Sequence, residues 1–242
     1  AERGLPVGHT PGVLSETTAD FAWSLLMTTA RRTVEGSEYV LADDWGTWGP
    51  KLLTGPDVHG ATLGVIGLGN IGAEVARRSA GFDMEVLYSD VERNEDAEAE
   101  LAAAGVDISY VDQSELLAES DFVSLHVPLF ESTHHLIGEA ELQMMQDGAI
   151  LVNTSRGPVV DTDALDTALE NDWIERAGLD VTEPEPLPAD HPITRHVPEK
   201  LVVTPHIASA SIQTRDKMAT MAAENLLAGL DGRDLPNSAH ED

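Results

Sequence analysis

Ala61-Thr-Leu-Gly-Val-Ile-Gly-Leu-Gly-Asn-Ile-Gly72, continued by Ala73-Glu-Val-Ala-Arg-Arg78 and closed by Val86-Leu-Tyr-Ser-Asp90, reads as one strand–helix–strand unit. Leu63 to Ile66 is a short apolar run suited to a buried parallel strand, Ala73, Val75, Ala76 and Ala80 share a helical face, and Met84 to Tyr88 form a second strand. Gly67, Gly69 and Gly72 fall at the first turn with G-x-G-x-x-G spacing. The first glycine permits a tight turn, the second lets a pyrophosphate reach the backbone, and the third lets helix and strand pack closely. Asp90 ends the second strand, where a carboxylate accepts hydrogen bonds from the adenosine ribose hydroxyls. This favours NAD over NADP, although Arg93 stands close enough in sequence to leave NADP possible. The glycine motif alone would equally suit a turn that binds nothing; strand, helix and terminal acid together carry the reading.

Outward from this unit, helices alternate with apolar strands. A long helix is expected from Glu16 to about Arg32 with Ser15 as its cap, then an irregular segment from Gly36 to Gly60 carrying Trp45 and Trp48. Helices are expected at Glu95–Ala104, Gln113–Ala118, Glu139–Met145, Asp161–Glu170 and Ser209–Ala228. Strands are expected at Phe122–Val127, Ala149–Asn153, Ala177–Val181 and Leu201–Thr204. Asp231 to Asp242 reads as a frayed acidic tail. Such alternation predicts an α/β fold, a doubly wound parallel sheet of Rossmann type covered on both faces.

Composition narrows the partners. The 242 residues carry 43 Asp plus Glu against 14 Lys plus Arg, a formal charge of -29, which disfavours nucleic acid and anionic membranes. Lysine is as scarce as acid is abundant, with only Lys51, Lys200 and Lys217, a balance suited to a salt-rich, halophilic cytoplasm; an ordinary acidic protein is the plainer alternative. No apolar run is long enough to span a bilayer and no signal-peptide pattern opens the chain, so a cytoplasmic protein is expected. Cysteine is absent, which excludes thiolate metal sites, and no metal is expected. The paired tryptophans on one loop suit either an interface or packing over the chain's own core.

Ligands of such sheets lie beyond the carboxyl ends of the strands. Three expected strands end in Thr154-Ser-Arg-Gly157, Thr182-Glu-Pro-Glu-Pro186 and Pro205-His-Ile-Ala208. Arg156 can hold a carboxylate through two parallel hydrogen bonds. His206 is a natural proton donor, and a neighbouring carboxylate would orient its ring and steady the imidazolium. Singly, each residue has an ordinary structural reading: a loop arginine, a solvated acid, one of nine histidines. Beside a nicotinamide, the three at successive strand ends predict an oxidoreductase of small acids.

Gly67-Leu-Gly-Asn-Ile-Gly72, Asn153-Thr-Ser-Arg-Gly-Pro-Val-Val-Asp161, Ala177-Gly-Leu-Asp-Val-Thr-Glu-Pro-Glu-Pro186 and Thr204-Pro-His-Ile-Ala-Ser209 resemble the D-isomer-specific 2-hydroxyacid dehydrogenases. Within them the chain is most similar to the glyoxylate/hydroxypyruvate reductases, through Asp44-Trp-Gly-Thr-Trp-Gly-Pro-Lys51 and Asn225-Leu-Leu-Ala-Gly229. The resemblance implies that Arg156 binds the substrate, that His206 is the acid/base and that Glu185, rather than Glu183, is its partner. It further implies NAD contacts from Gly67, Gly69, Asn70, Ile71, Gly72, Asp90, Val127, Pro128, Thr154, Ser155, Arg156, Asp180, His206 and Ala208, with Asp180 on the carboxamide. Asn70 departs from the arginine that many members carry. A small anionic 2-oxoacid as substrate and a homodimer joined through the Trp45/Trp48 loop, near residues 36–60, are likewise implied. The family's chain starts well before the point matching Ala1, so residues 1–9 are expected as the remnant of a flavodoxin-like substrate domain, 10–208 as the dinucleotide-binding domain and 209–242 as a helix returning to the first. A phosphoglycerate dehydrogenase-like enzyme, or an NAD-binding module without catalysis, is the alternative; formate dehydrogenases carry glutamine in place of Glu185.

Overall fold

The computed structural model describes residues 5–239. Seven strands, β1 (Thr62–Ile66), β2 (Glu85–Ser89), β3 (Asp107–Tyr110), β4 (Phe122–Leu125), β5 (Ile150–Asn153), β6 (Arg176–Leu179) and β7 (Leu201–Val203), form one sheet ordered β3-β2-β1-β4-β5-β6-β7. Every neighbouring pair is parallel. The order reverses between β1 and β4, the switch point outside which such sheets place a ligand.

Helices cover both faces. One layer holds α1 (Ser15–Ala30), α3 (Asn70–Ser79) and α4 (Glu95–Ala103), and the other α5 (Gln113–Glu119), α6 (Glu139–Met144) and α7 (Thr162–Glu170). Alternation along the strands feeds both cores: Ile150 and Val152 pack beneath α1, while Leu151 packs with Leu142 and Leu165 on the opposite face. Both sides of the strands are apolar because both sides are covered.

Five local expectations need correction. The first helix ends at Ala30, because Arg32 takes a left-handed backbone (φ 52°) and holds Glu35 through two 2.6 Å hydrogen bonds. A second helix, α2 (Thr33–Leu41), then occupies the start of the segment read as irregular. Ser15 is the first helical residue rather than the cap; Leu14 stands at the cap and makes no side-chain bond. β3 went unread because it is a mostly exposed edge strand with no apolar run. The tail is not frayed through Ala239: Gly8 and Ser238 form an antiparallel bridge, Ala239 N–H donates to Val7 O, and Asn225 of the last helix, α8 (Ile212–Leu230), donates to His9 O and accepts from Asn237 N–H. Residues 1–4 and 240–242 of the expected terminal segments lie outside the described residues.

Trp45 and Trp48 are 60% and 77% exposed, and Val40 and Leu41 shortly before them in the chain are exposed as well. They do not pack over the chain's own core. Among the described residues no helix is long and apolar enough to cross a membrane.

Candidate active site

The glycine turn is built for close approach. Gly67 has φ +92°, and a Cβ there would meet His126 O at 2.8 Å, so the loops after β1 and β4 touch at this residue. A Cβ on Gly72 would lie 2.0 Å from Gly67 O, which leaves no room for any other residue where α3 meets the turn. Gly69 is the opposite case. It caps α3, nothing lies within 4 Å of its Cβ position, and no acidic side chain stands in the helix's first turn. The N-terminus of α3 therefore faces open space with its N–H groups and positive dipole end uncompensated by the helix itself.

A cavity of about 290 Å³ opens there, lined by Gly69, Asn70 and Ile71, by His126, Val127 and Pro128, and by Thr154, Ser155 and Arg156, with Ser15 at its margin. Thr154 Oγ1 is buried and finds no hydrogen-bond partner among the described residues, as expected of a group that meets a ligand. The turn bearing it is fixed by the fully buried Asn153, whose Oδ1 accepts from Ser155 N–H and Oγ–H and whose Nδ2 donates to Arg156 O. Arg156 is exposed, and its guanidinium donates to Ser155 O at 2.7 Å.

Directly after β2, Asp90 Oδ2 accepts from Leu68 N–H at 2.8 Å and Oδ1 from Val91 N–H at 2.7 Å. The acid at the end of β2 thus also steadies the glycine turn. Arg93 is committed elsewhere: its Nε and Nη2 grip the two oxygens of Glu98 at 2.8 and 2.7 Å, and Tyr88 O–H bonds the same carboxylate. The paired Arg93 and Tyr88 hold the Glu98 carboxyl down at about 2, while burial and the carboxylate push the Tyr88 phenol up to about 12.

A second cavity, about 360 Å³, is lined by Asp180, Thr182, Glu185, Pro186, Leu187 and Val203 to His206. His206 Nδ1 lies 2.7 Å from Glu185 Oε1, so the structure brings the expected acid/base and its expected partner together. Both side chains are nearly half exposed. His206 has φ +55°, and the turn is imposed by Asp180, 1% exposed at the end of β6. Asp180 O accepts from His206 N–H at 2.8 Å, Oδ1 from Thr204 Oγ–H and Ile207 N–H, and Oδ2 from Ala208 N–H at 2.7 Å. A carboxylate has about four lone-pair positions, so one remains for an incoming amide. Gly157 joins the arginine turn to this loop, since a Cβ there would lie 2.0 Å from Thr182 O.

Two residues lining the first cavity were not among the expected site residues. His126 bonds Ser124 Oγ at 2.8 Å and burial pushes it down to about 3, so its imidazole stays neutral at the crevice. Ser15 reaches the groove only because α1 begins beside Gly69. His126 directly precedes Val127, so position after β4 was the available signal; nothing local marks Ser15.

These features fit a dinucleotide: a glycine turn at a helix N-terminus, an acid at the ribose position and an unpartnered hydroxyl in the groove. The profile of the D-isomer specific 2-hydroxyacid dehydrogenase NAD binding domain matches residues 23–208. A glyoxylate reductase of Korarchaeum cryptofilum is 53% identical over all of this chain, which covers 71% of that protein. Among solved structures, the TT0316 protein of Thermus thermophilus is 47% identical with a TM-score of 0.89 over 98% of this chain and 72% of its own. A D-lactate dehydrogenase of Aquifex aeolicus, complexed with NAD and lactic acid, is 31% identical with a TM-score of 0.85 over 98% and 74%. The chain belongs to the D-isomer-specific 2-hydroxyacid dehydrogenase family, as an enzyme whose Rossmann-type domain binds NAD.

Proposed function

We propose that this chain carries the NADH-dependent reduction of a small 2-oxoacid, glyoxylate or hydroxypyruvate, to the D-2-hydroxyacid. The observation that carries the reading is His206 Nδ1 held 2.7 Å from Glu185 Oε1, which leaves Nε2 for a substrate oxygen. A nicotinamide bound by this domain would supply the hydride to C2. Arg156 pairs with the substrate carboxylate, His206 delivers a proton from Nε2 to the forming alkoxide, and Glu185 steadies the imidazolium until that proton leaves. Asp180 keeps the histidine turn in place and has one lone pair left for the carboxamide; Gly67 to Gly72 and Thr154 hold the remainder of the dinucleotide. The glyoxylate reductase of Korarchaeum cryptofilum supports this choice of substrate.

Residues 10–208 serve as the dinucleotide-binding domain in this reading, and α8, with Leu226, Leu227 and Leu230 exposed, returns to a substrate domain to which residues 1–9 also belong. The exposed Trp45 and Trp48 suit a homodimer interface. The test follows NADH absorbance with glyoxylate and with hydroxypyruvate in high KCl, using the chain alone and the chain joined to a substrate domain. Turnover by the joined form, sedimenting as a dimer, is expected. NADH binding without turnover in either form would replace this reading with that of a binding module, and a monomer would remove the dimer.

The same assay tests cofactor choice. Asp90→Ala should lower the NADH-over-NADPH preference by about ten- to a hundredfold, the equivalent of one charged hydrogen bond. Since Arg93 is tied to Glu98, NADPH turnover itself should rise only when Glu98→Gln is added. An unchanged preference in the double variant would show that neither residue reads the ribose.

A further inference from the structure

Outside the cofactor groove, two segments distant in sequence meet at His134, His135 and Glu183, and one ligand atom from each lies within 4.8 Å of the other two. His135 Nε2 is 2.8 Å from Glu183 Oε2, and the two imidazole rings lie side by side with centroids 4.0 Å apart and planes tilted by 31°. Consecutive residues of an extended chain point to opposite faces. His135 instead has φ 52°, the left-handed turn that non-glycine residues seldom take, and this turn brings both rings to one side. His135 N–H donates to Pro158 O at 2.7 Å, which fixes the turn against the loop that follows Arg156.

We propose that His134, His135 and Glu183 form a binding site for a divalent transition-metal ion of the zinc, cobalt or nickel class. Two imidazoles and a carboxylate with a fourth position open to water are a donor set for such ions, whereas calcium and magnesium favour oxygen ligands alone. Metal–ligand bonds of about 2.0 Å place tetrahedral donor atoms about 3.3 Å apart, within reach of small side-chain rotations from the observed spacing. The orienting carboxylate is present as well. Asp161 Oδ1 caps α7 by accepting from Asp163 and Ala164 N–H, and its Oδ2 lies 3.6 Å from His135 Nδ1. Metal-bound histidines commonly face such a carboxylate through the ring nitrogen that does not bind the metal, and a small rotation of the ring would close this ion-pair contact into a hydrogen bond. Two neutral imidazoles and Glu183 leave a bound dication with one positive charge, which Asp161 balances. The ligands come from separated segments, so no spacing pattern announces them. None of the three belongs to the proposed catalytic set, and the site stands or falls independently of it.

The test is titration of the full chain with Co2+, read by its visible absorption and by displacement with Zn2+. One equivalent should bind, and His134→Ala and Glu183→Gln should each weaken it at least about tenfold. His134 is exposed and its side chain makes no hydrogen bond among the described residues, so its variant should keep the near-ultraviolet circular dichroism of the parent. Equal Co2+ binding by the parent and the His134→Ala/Glu183→Gln double variant would overturn the site. Displacement by Mg2+ as readily as by Zn2+ would do the same, reducing the binding to that of an acidic surface.

Discussion

His206→Asn is expected to lower kcat for 2-oxoacid reduction by about a hundred- to ten-thousandfold, the usual contribution of a positioned general acid, while the dissociation constant for NADH stays within a few-fold of the parent. Asparagine is chosen because the residue has φ +55°, a conformation asparagine tolerates better than most, so the turn set by Asp180 survives and only the proton is lost. The groove proposed for the dinucleotide is lined by Gly69, Val127 and Thr154 among others, and His206 is not part of that lining. Stopped-flow hydride transfer and NADH fluorescence separate the two quantities. A variant that turns over at the parent's rate would remove His206 from the chemistry, and a variant that loses NADH would make it a cofactor residue instead. Glu185→Gln should fall between the two, because glutamine keeps a partner for Nδ1 but no charge to steady the imidazolium.

The glycine turn, the Arg156 turn and the histidine turn were legible because they fall together at the carboxyl ends of strands of one parallel sheet; none of these residue types is diagnostic there by itself. Gly67 and Gly72 are required by backbone contacts that no side chain could survive. What stayed hidden has a common physical origin. β3 pairs on one side only and carries exposed residues, so its strand identity lies in hydrogen bonds to β2 rather than in a hydrophobic pattern. The break after Ala30 depends on the Arg32–Glu35 pair and on Gly55, whose Cβ would lie 1.9 Å from Ala30 O, a contact between distant parts of the chain. The docked tail hangs on Asn225, quoted above as part of a motif, whose amide joins His9 to Asn237. In each case a tertiary partner decided a conformation that local propensity left open.

Gly157→Ala is expected to separate substrate handling from cofactor binding. A Cβ at this position would lie 2.0 Å from Thr182 O, 2.3 Å from Thr182 C and 3.0 Å from Glu183 N, all backbone atoms that cannot rotate aside. One of the two loops must therefore move, either the turn carrying Arg156 or the segment from Thr182 to Pro186 that carries Glu185. Arg156 itself is held by few bonds, its backbone O accepting from Asn153 Nδ2 and Val159 N–H and its guanidinium donating to Ser155 O, whereas Thr182 is buried and donates its hydroxyl to Pro184 O. The arginine turn should yield first. A displacement near 1 Å at a positioning group costs about a hundredfold, so kcat/KM for the 2-oxoacid should fall by that order. Gly72→Ala, which would press on Gly67 O at 2.0 Å, should instead weaken NADH binding itself. Measuring NADH affinity and 2-oxoacid kinetics on both variants distinguishes the two glycines. If Gly157→Ala kept the parent's kcat/KM, the close approach of the two loops would have no part in setting the distance between Arg156 and the His206–Glu185 pair.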